Sequence, residues 1–294
     1  MIYKMHLINS TFPFVKVGPP SGKTWAMELL KAIAFVKKDM KIAVSYKVQF
    51  IFQFLQIFFS IVVIYFVGKM INNDNWMLKK YDVDYFSFAL VGLSVNSYLK
   101  TGLETITKDI RQTMNQGTLE AMCAAPINYT MLLLCSSLWQ FVFETVRVTS
   151  YFVIGFVIFG MRLKDANWSG AIICLILTAP IFLMLGIISC SILIVIKRGD
   201  PINWIFSSLG ALLAGTVFPV TVLPHWLQTV AFCLPLTHSL EAVRRCLFTG
   251  ATLYEVSRNI WALAGFVIIL IPVTIFVNRL CMSCAKKRGA FSTH

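Results

Sequence analysis

The residues best placed for chemistry are polar groups inside apolar runs. Glu144 and Arg147 interrupt a stretch, 121–161, that holds no other Asp, Glu, Lys or Arg. Three residues apart on a helix, they share a face. A charge inside a bilayer costs several kcal/mol unless it is paired or wetted. Together the two can neutralise each other, either lining a pathway, meeting another span or subunit, or forming a structural ion pair near an interface. Gln49, Gln53 and Gln56 recur at i, i+4 and i+7, so they occupy one helical face. Lipid is a poor partner for such a face. It calls for another helix, a second copy of the chain, or water.

Other motifs promise chemistry that their surroundings do not support. Gly18-Pro19-Pro20-Ser21-Gly22-Lys23-Thr24 imitates a phosphate-binding loop. It has three residues between its glycines where that loop needs four, and two are prolines with no N–H to donate. Asp82-Val83-Asp84 has the spacing of a glycosyltransferase metal motif, yet Lys79 and Lys80 lie beside it, as in a solvated loop. Cys281-Met282-Ser283-Cys284 is half a zinc site without a second half, because His6, His225, His238 and His294 are scattered. Cys233 and Cys246 could pair as a disulfide on one side of the membrane. Asn167-Trp168-Ser169 is a glycosylation sequon in a short loop.

The elements that must position these groups follow from composition. Hydrophobic residues make up 57% of the 294 and charged residues 13%, where soluble domains average roughly 25% charged. The mean hydropathy is +0.74. Such a chain is neither soluble and globular nor disordered. It also lacks the alternating segments, ~10 residues long, of an outer-membrane barrel. The expected fold is all-α and integral to the membrane.

Stretches free of Asp, Glu, Lys and Arg at 48–68, 85–99, 166–196, 201–240 and 259–278, with 121–161 interrupted only by Glu144 and Arg147, give six transmembrane helices. The second is short, and Lys100 snorkelling to the interface would let it run on towards Glu104. The third predicts a helix from Tyr129 to Met161. The fifth stretch is broken by Pro219, Pro224 and Pro235. It reads as a span over 202–218 followed by two short re-entrant helices, 224–233 and 237–248, that dip in from the outer side. With both termini inside, 17 Lys+Arg fall on the cytoplasmic side and 8 on the outer side, the asymmetry the positive-inside rule requires. Trp76, Trp168, Trp226 and Trp261 lie near outer boundaries, as in an aromatic belt. The chain thus divides into a cytoplasmic N-terminal segment, 1–47, a six-span domain, 48–280, and a basic tail, 281–294. Within Thr24–Tyr46, Trp25, Leu29, Ile33, Val36, Met40 and Val44 form one apolar face opposite Lys23, Lys31, Lys38 and Lys41. This predicts an amphipathic helix lying in the membrane interface. The first 47 residues are too long and polar for a cleaved signal peptide.

Three ordered segments carry a resemblance. They are Gly117-Thr118-Leu119-Glu120-Ala121-Met122-Cys123-Ala124-Ala125-Pro126; Lys197-Arg198-Gly199-Asp200-Pro201-Ile202; and the run from Phe218-Pro219-Val220 through Leu223-Pro224-His225-Trp226-Leu227, Leu234-Pro235-Leu236-Thr237 and Leu240-Glu241-Ala242-Val243-Arg244-Arg245 to Gly250. With the topology and the tail Ala285-Lys286-Lys287-Arg288-Gly289, they resemble the membrane subunit of type-2 ABC exporters over roughly 25–290. The resemblance implies a permease that dimerises with a second copy and binds two separate ATPase subunits. ATP and magnesium would sit in those partners, with no cofactor or metal in this chain. It implies no nucleic-acid partner and a location in the cytoplasmic (inner or plasma) membrane. The family's coupling helix would match about Lys108–Ala125, within the loop 100–128, and the re-entrant helices would fall in 219–250. Lys108, Asp109, Arg111, Gly117 and Glu120 are therefore the expected coupling residues. Gln49, Gln53, Gln56, Glu144 and Arg147 are the expected pathway. Pro219, Pro224, Pro235, Glu241 and Arg244 are the expected outer gate. The substrate would be amphipathic, a lipid-linked glycan, glycolipid or drug. A proton-driven secondary transporter using Glu144 is the alternative.

Overall fold

The computed structural model describes residues 47–71, 83–116, 129–161, 163, 166–196 and 200–287. The expected interface helix over Thr24–Tyr46, the basic tail from Arg288, Gly117 and Glu120 lie outside them. Every regular element described is helical. The long helices are α1 (Lys47–Met70), α2 (Tyr85–Asn115), α3 (Tyr129–Val157) and α4 (Trp168–Ile196). A fifth, α5 (201–213), joins α-helical ends, Pro201–Trp204 and Ala211–Leu213, through a π-helical turn at Ile205–Gly210. A 3-10 turn at Val220–Val222 leads to α6 (His225–Phe232), α7 (Pro235–Thr249) and α8 (Ser257–Lys287).

Three of these are long and apolar enough to cross a membrane, over Ile51–Met70, Trp168–Ile196 and Ser257–Cys281. α2 and α3 have the length, at 31 and 29 residues, but carry internal charges. α2 does not stop near Lys100. It runs on to Asn115 because Leu99, Leu103, Ile106 and Ile110 keep one face buried while Lys100, Lys108, Asp109 and Arg111 stay exposed, an amphipathic continuation. Lys108, Asp109 and Arg111 therefore belong to α2 and not to a separate helix. α5 ends at Leu213, short of the expected 218. Its 13 residues rise only about 20 Å at ~1.5 Å each, less than the ~30 Å of hydrocarbon.

α4 is central and packs against α8, α2 and α7. The α2–α4 crossing depends on two glycines. A Cβ on Gly102 would come within 2.6 Å of Phe182 Cβ, and one on Gly186 would collide with the Gly102 carbonyl oxygen. Small residues let membrane helices approach this closely. Gly186→Val is expected to force the two helices apart, at a cost of about 1–3 kcal/mol from overpacking. Thermal unfolding and the monodisperse fraction in detergent check this, and wild-type behaviour would mean that the crossing yields freely.

α7 begins at Pro235 and ends at Gly250, which adopts φ 63. Proline at the first helical position and a left-handed glycine after the last are the ordinary helix signals. Most of α7 is buried, including Thr237, Ser239 and Arg244. Beyond it, Glu255 Oε2 accepts from the Thr252 amide at 2.7 Å and its hydroxyl at 3.1 Å, which holds this exposed carboxyl below its ordinary pKa.

Candidate functional site

Two polar clusters stand out. The first joins α1, α2 and α3. Glu144 is 2% exposed, and its Oε2 lies 3.2 Å from Arg147 Nη1. The same oxygen accepts from the Thr101 hydroxyl of α2 at 2.8 Å. One residue on, Thr145 accepts from the Tyr98 hydroxyl at 2.9 Å. From α1, the Gln53 carbonyl oxygen, turned to the guanidinium, accepts from Arg147 Nε at 3.3 Å and also from Nη2. Three helices thus share one ion pair, as a charge in low dielectric requires. Glu144 Oε1 has no hydrogen-bond donor among the described residues. It is the acceptor still open to a proton, water or a polar ligand.

The depth of this cluster follows from an aromatic layer at one end of the bundle. The Tyr65 ring of α1 lies 4.8 Å from that of Phe159, just past α3, with the planes tilted. Gln53 and Arg147 each lie twelve residues back along the chain, roughly 18 Å at ~1.5 Å per residue. The ion pair therefore sits in the far half of the apolar slab. The three glutamines do not act alike. Gln53 engages Arg147, whereas Gln56 is exposed. The side chain of Gln49 lies outside the described residues.

The second cluster centres on Arg244 of α7, which is 4% exposed. Its Nη1 donates to the Gly215 carbonyl at 2.7 Å, and Nη2 to Thr216 at 2.9 Å and Phe88 at 3.3 Å. Its Cζ lies 3.5 Å from the Phe88 ring centroid, a cation–π contact. One guanidinium thus fastens the turn after α5 to the first turns of α2. The turn needs Gly215, at φ 81. The approach needs Gly92, whose Cβ would meet the Thr216 carbonyl and come 2.6 Å from Arg244 Nη2. Glu241 is half-buried one turn earlier. Pro219 precedes the 3-10 turn, Pro224 caps α6 and Pro235 opens α7, so the three prolines set the bends that bring Arg244 to its carbonyls. Reasoning from sequence found Arg244 but missed Phe88, Gly92, Thr101, Tyr98 and Thr145. Gly92, Tyr98 and Thr145 had the weak signal of a polar or small residue inside an apolar stretch, and Phe88 and Thr101 had none.

Two sequence readings take other roles. Asn167 Oδ1 accepts from the Ser169 hydroxyl at 2.8 Å and the Gly170 amide at 3.0 Å, capping α4. Its Nδ2 donates to the Ala251 carbonyl at 3.1 Å, so the nitrogen a glycan would occupy is engaged within the protein. Cys233 is exposed and Cys246 buried, and both are free. The Cys246 thiol faces Cys174 of α4 instead. Among the described residues no group of three or more His, Cys, Asp or Glu could hold a metal.

An all-helical bundle with three apolar spans and a buried ion pair among its helices is a multi-pass membrane protein. The family model described as ABC-2 type transporter matches residues 32–248, and the chain belongs to that family. It is similar to nodulation protein J of Rhizobium meliloti (strain 1021), at 24% identity over 195 residues, 64% of this chain and 71% of that one. A member of this family is a membrane transport subunit, and its ATPase is a separate subunit.

Proposed function

We propose that this chain is the permease half of an ATP-driven exporter, in which two copies form the pathway for an amphipathic substrate and two ATPase subunits power it. α1 to α5 and α8 are the six spans, α5 completing its crossing with the bends that follow it. α6 and α7 are the re-entrant pair on the outer side, and both termini are cytoplasmic. The observation that carries the reading is α2, which continues far past its apolar part. From Lys100 to Asn115 it extends another ~23 Å at ~1.5 Å per residue, with Lys108, Asp109 and Arg111 exposed along it. Lys108 pairs with Glu104 one turn back at 2.5 Å. A rigid helix that leaves the membrane with charges on its flank suits transmission of a push from a soluble ATPase. Gly117 and Glu120 follow it directly in sequence.

The test is purification of the tagged protein from native membranes in mild detergent, followed by native mass spectrometry. The expected result is two copies of the chain with two copies of an ATPase. Charge reversal at Arg111 and Glu120 together is expected to reduce the co-purified ATPase at least severalfold, and unchanged stoichiometry would count against docking there. A homodimer or monomer with no ATPase in every detergent would overturn the exporter reading. It would favour proton coupling through Glu144, whose Oε1 has no donor among the described residues.

A further inference from the structure

At the bundle end where α1 and α3 finish and α2 begins lies a pocket of about 260 Å³ that neither polar cluster uses. Tyr65, Lys69, Asp84, Tyr85, Phe86 and Phe159 line it. Three rings form one continuous apolar wall. Tyr65 and Phe86 are 5.7 Å apart, Phe86 and Phe159 5.6 Å, and Tyr65 and Phe159 4.8 Å. Lys69 and Asp84, both exposed, bring opposite charges to the same pocket. Among the described residues no ion pair joins them to each other or to a third group. The Lys69 ammonium lies 4.9 Å from the Tyr65 centroid, and Asp84 makes no side-chain cap bond to α2.

The level of the pocket in the bilayer is fixed by α1. Its apolar span is Ile51–Met70, so Lys69 stands where hydrocarbon gives way to headgroups, the depth favoured by Tyr and Lys. Drug-sized ligands fill pockets of about 300–1,000 Å³, and this one is slightly smaller, suited to a headgroup. A purely anionic group would be repelled by Asp84 and a purely cationic one by Lys69. A neutral sugar would use neither charge. We propose that the pocket binds a phosphoethanolamine-type zwitterion, the headgroup of a bilayer phospholipid. Lys69 takes the phosphate, Asp84 takes the ammonium, and the rings cover the methylene carbons between them. The inference requires only that α1 spans the bilayer and is independent of what the protein transports.

The experiment is native mass spectrometry of the intact protein titrated with dioleoyl phosphatidylethanolamine, dioleoyl phosphatidylglycerol and soluble glycerophosphoethanolamine. Wild type is expected to retain phosphatidylethanolamine about tenfold more tightly than phosphatidylglycerol. Asp84→Asn should erase that preference, and Lys69→Gln should weaken retention of both lipids severalfold, neither changing the melting temperature at these exposed positions. The exchanged pair Lys69→Asp with Asp84→Lys should recover part of the preference. Equal retention of the two lipids by wild type, a preference unchanged by Asp84→Asn, or retention unchanged by Lys69→Gln overturns the site. Glycerophosphoethanolamine competing as well as the lipid overturns the lipid as its source and makes the ligand a soluble zwitterion.

Discussion

Arg244→Ala is expected to destabilise the protein by about 3 kcal/mol, because it deletes a charged donor and leaves buried carbonyls without it. The variant should also abolish export. The guanidinium bonds three carbonyls on two separate segments and covers the Phe88 ring. Each charge-assisted bond contributes roughly 1.5–3 kcal/mol, and because they share one group their sum is not additive. Arg244→Lys should rescue little, because a compact ammonium cannot reach Gly215, Thr216 and Phe88 together. Phe88→Leu removes the cation–π contact alone and should cost about 0.5–2 kcal/mol of that electrostatic attraction, apart from any packing loss. Gly92→Ala pushes both the turn and the guanidinium off α2 while keeping the arginine itself. It should be strongly non-additive with Arg244→Ala, since both break one contact. Thermal unfolding of the purified variants checks the series, and a wild-type melting temperature for Arg244→Ala would remove the clamp from the account. Wild-type export by that variant would remove it from the proposed outer gate.

The helices were legible where one residue type has one physical consequence. Pro235 and Gly250 bound α7 within two residues of the expected 237–248 because proline cannot continue a helix backwards and glycine tolerates a positive φ. α4 lies within 166–196 as read, since nothing charged interrupts it. Counting charge-free residues failed on α2. It treats Lys100 as an end, whereas Lys100, Glu104 and Lys108 merely mark the face of a helix whose other side stays apolar. The π-helical turn at Ile205–Gly210 had no signal, because Ile, Phe, Ser and Leu suit either helix type and the extra residue per turn is chosen by packing.

The site was half legible for a similar reason. A buried charge announces itself in sequence, so Glu144, Arg147 and Arg244 could be named. Apart from the Glu144–Arg147 pairing itself, their partners could not, because Thr101 lies 43 residues from Glu144 and Phe88 156 residues from Arg244. Those pairings depend on helix register, and register at the α2–α4 crossing rests on Gly102 meeting Gly186. Asn167 shows the opposite error. Its motif fits a glycan acceptor, but the same Asn and Ser also make an N-cap, and only the position of Ala251 decides between them.

The Glu144–Arg147 pair offers the sharpest separation of structure from transport. Arg147→Met should leave a 2%-exposed carboxylate with Thr101 as its one remaining described donor. A buried charge so orphaned costs about 3–5 kcal/mol. Glu144→Gln should cost less, because the Arg147 side chain is 29% exposed and retains Gln53. The double variant carries no charge at this depth and should regain much of the lost stability, giving a coupling energy of about 1–3 kcal/mol. Export then discriminates. If the pair only braces three helices, the double variant recovers transport together with its melting temperature. If the open Glu144 oxygen and the guanidinium line the pathway, the double variant melts normally and does not transport. The second result is expected, because a purely structural pair has no need to leave one carboxylate oxygen without a donor among the described residues at 2% exposure. Recovery of both properties would remove Glu144 and Arg147 from the pathway and leave them as a brace.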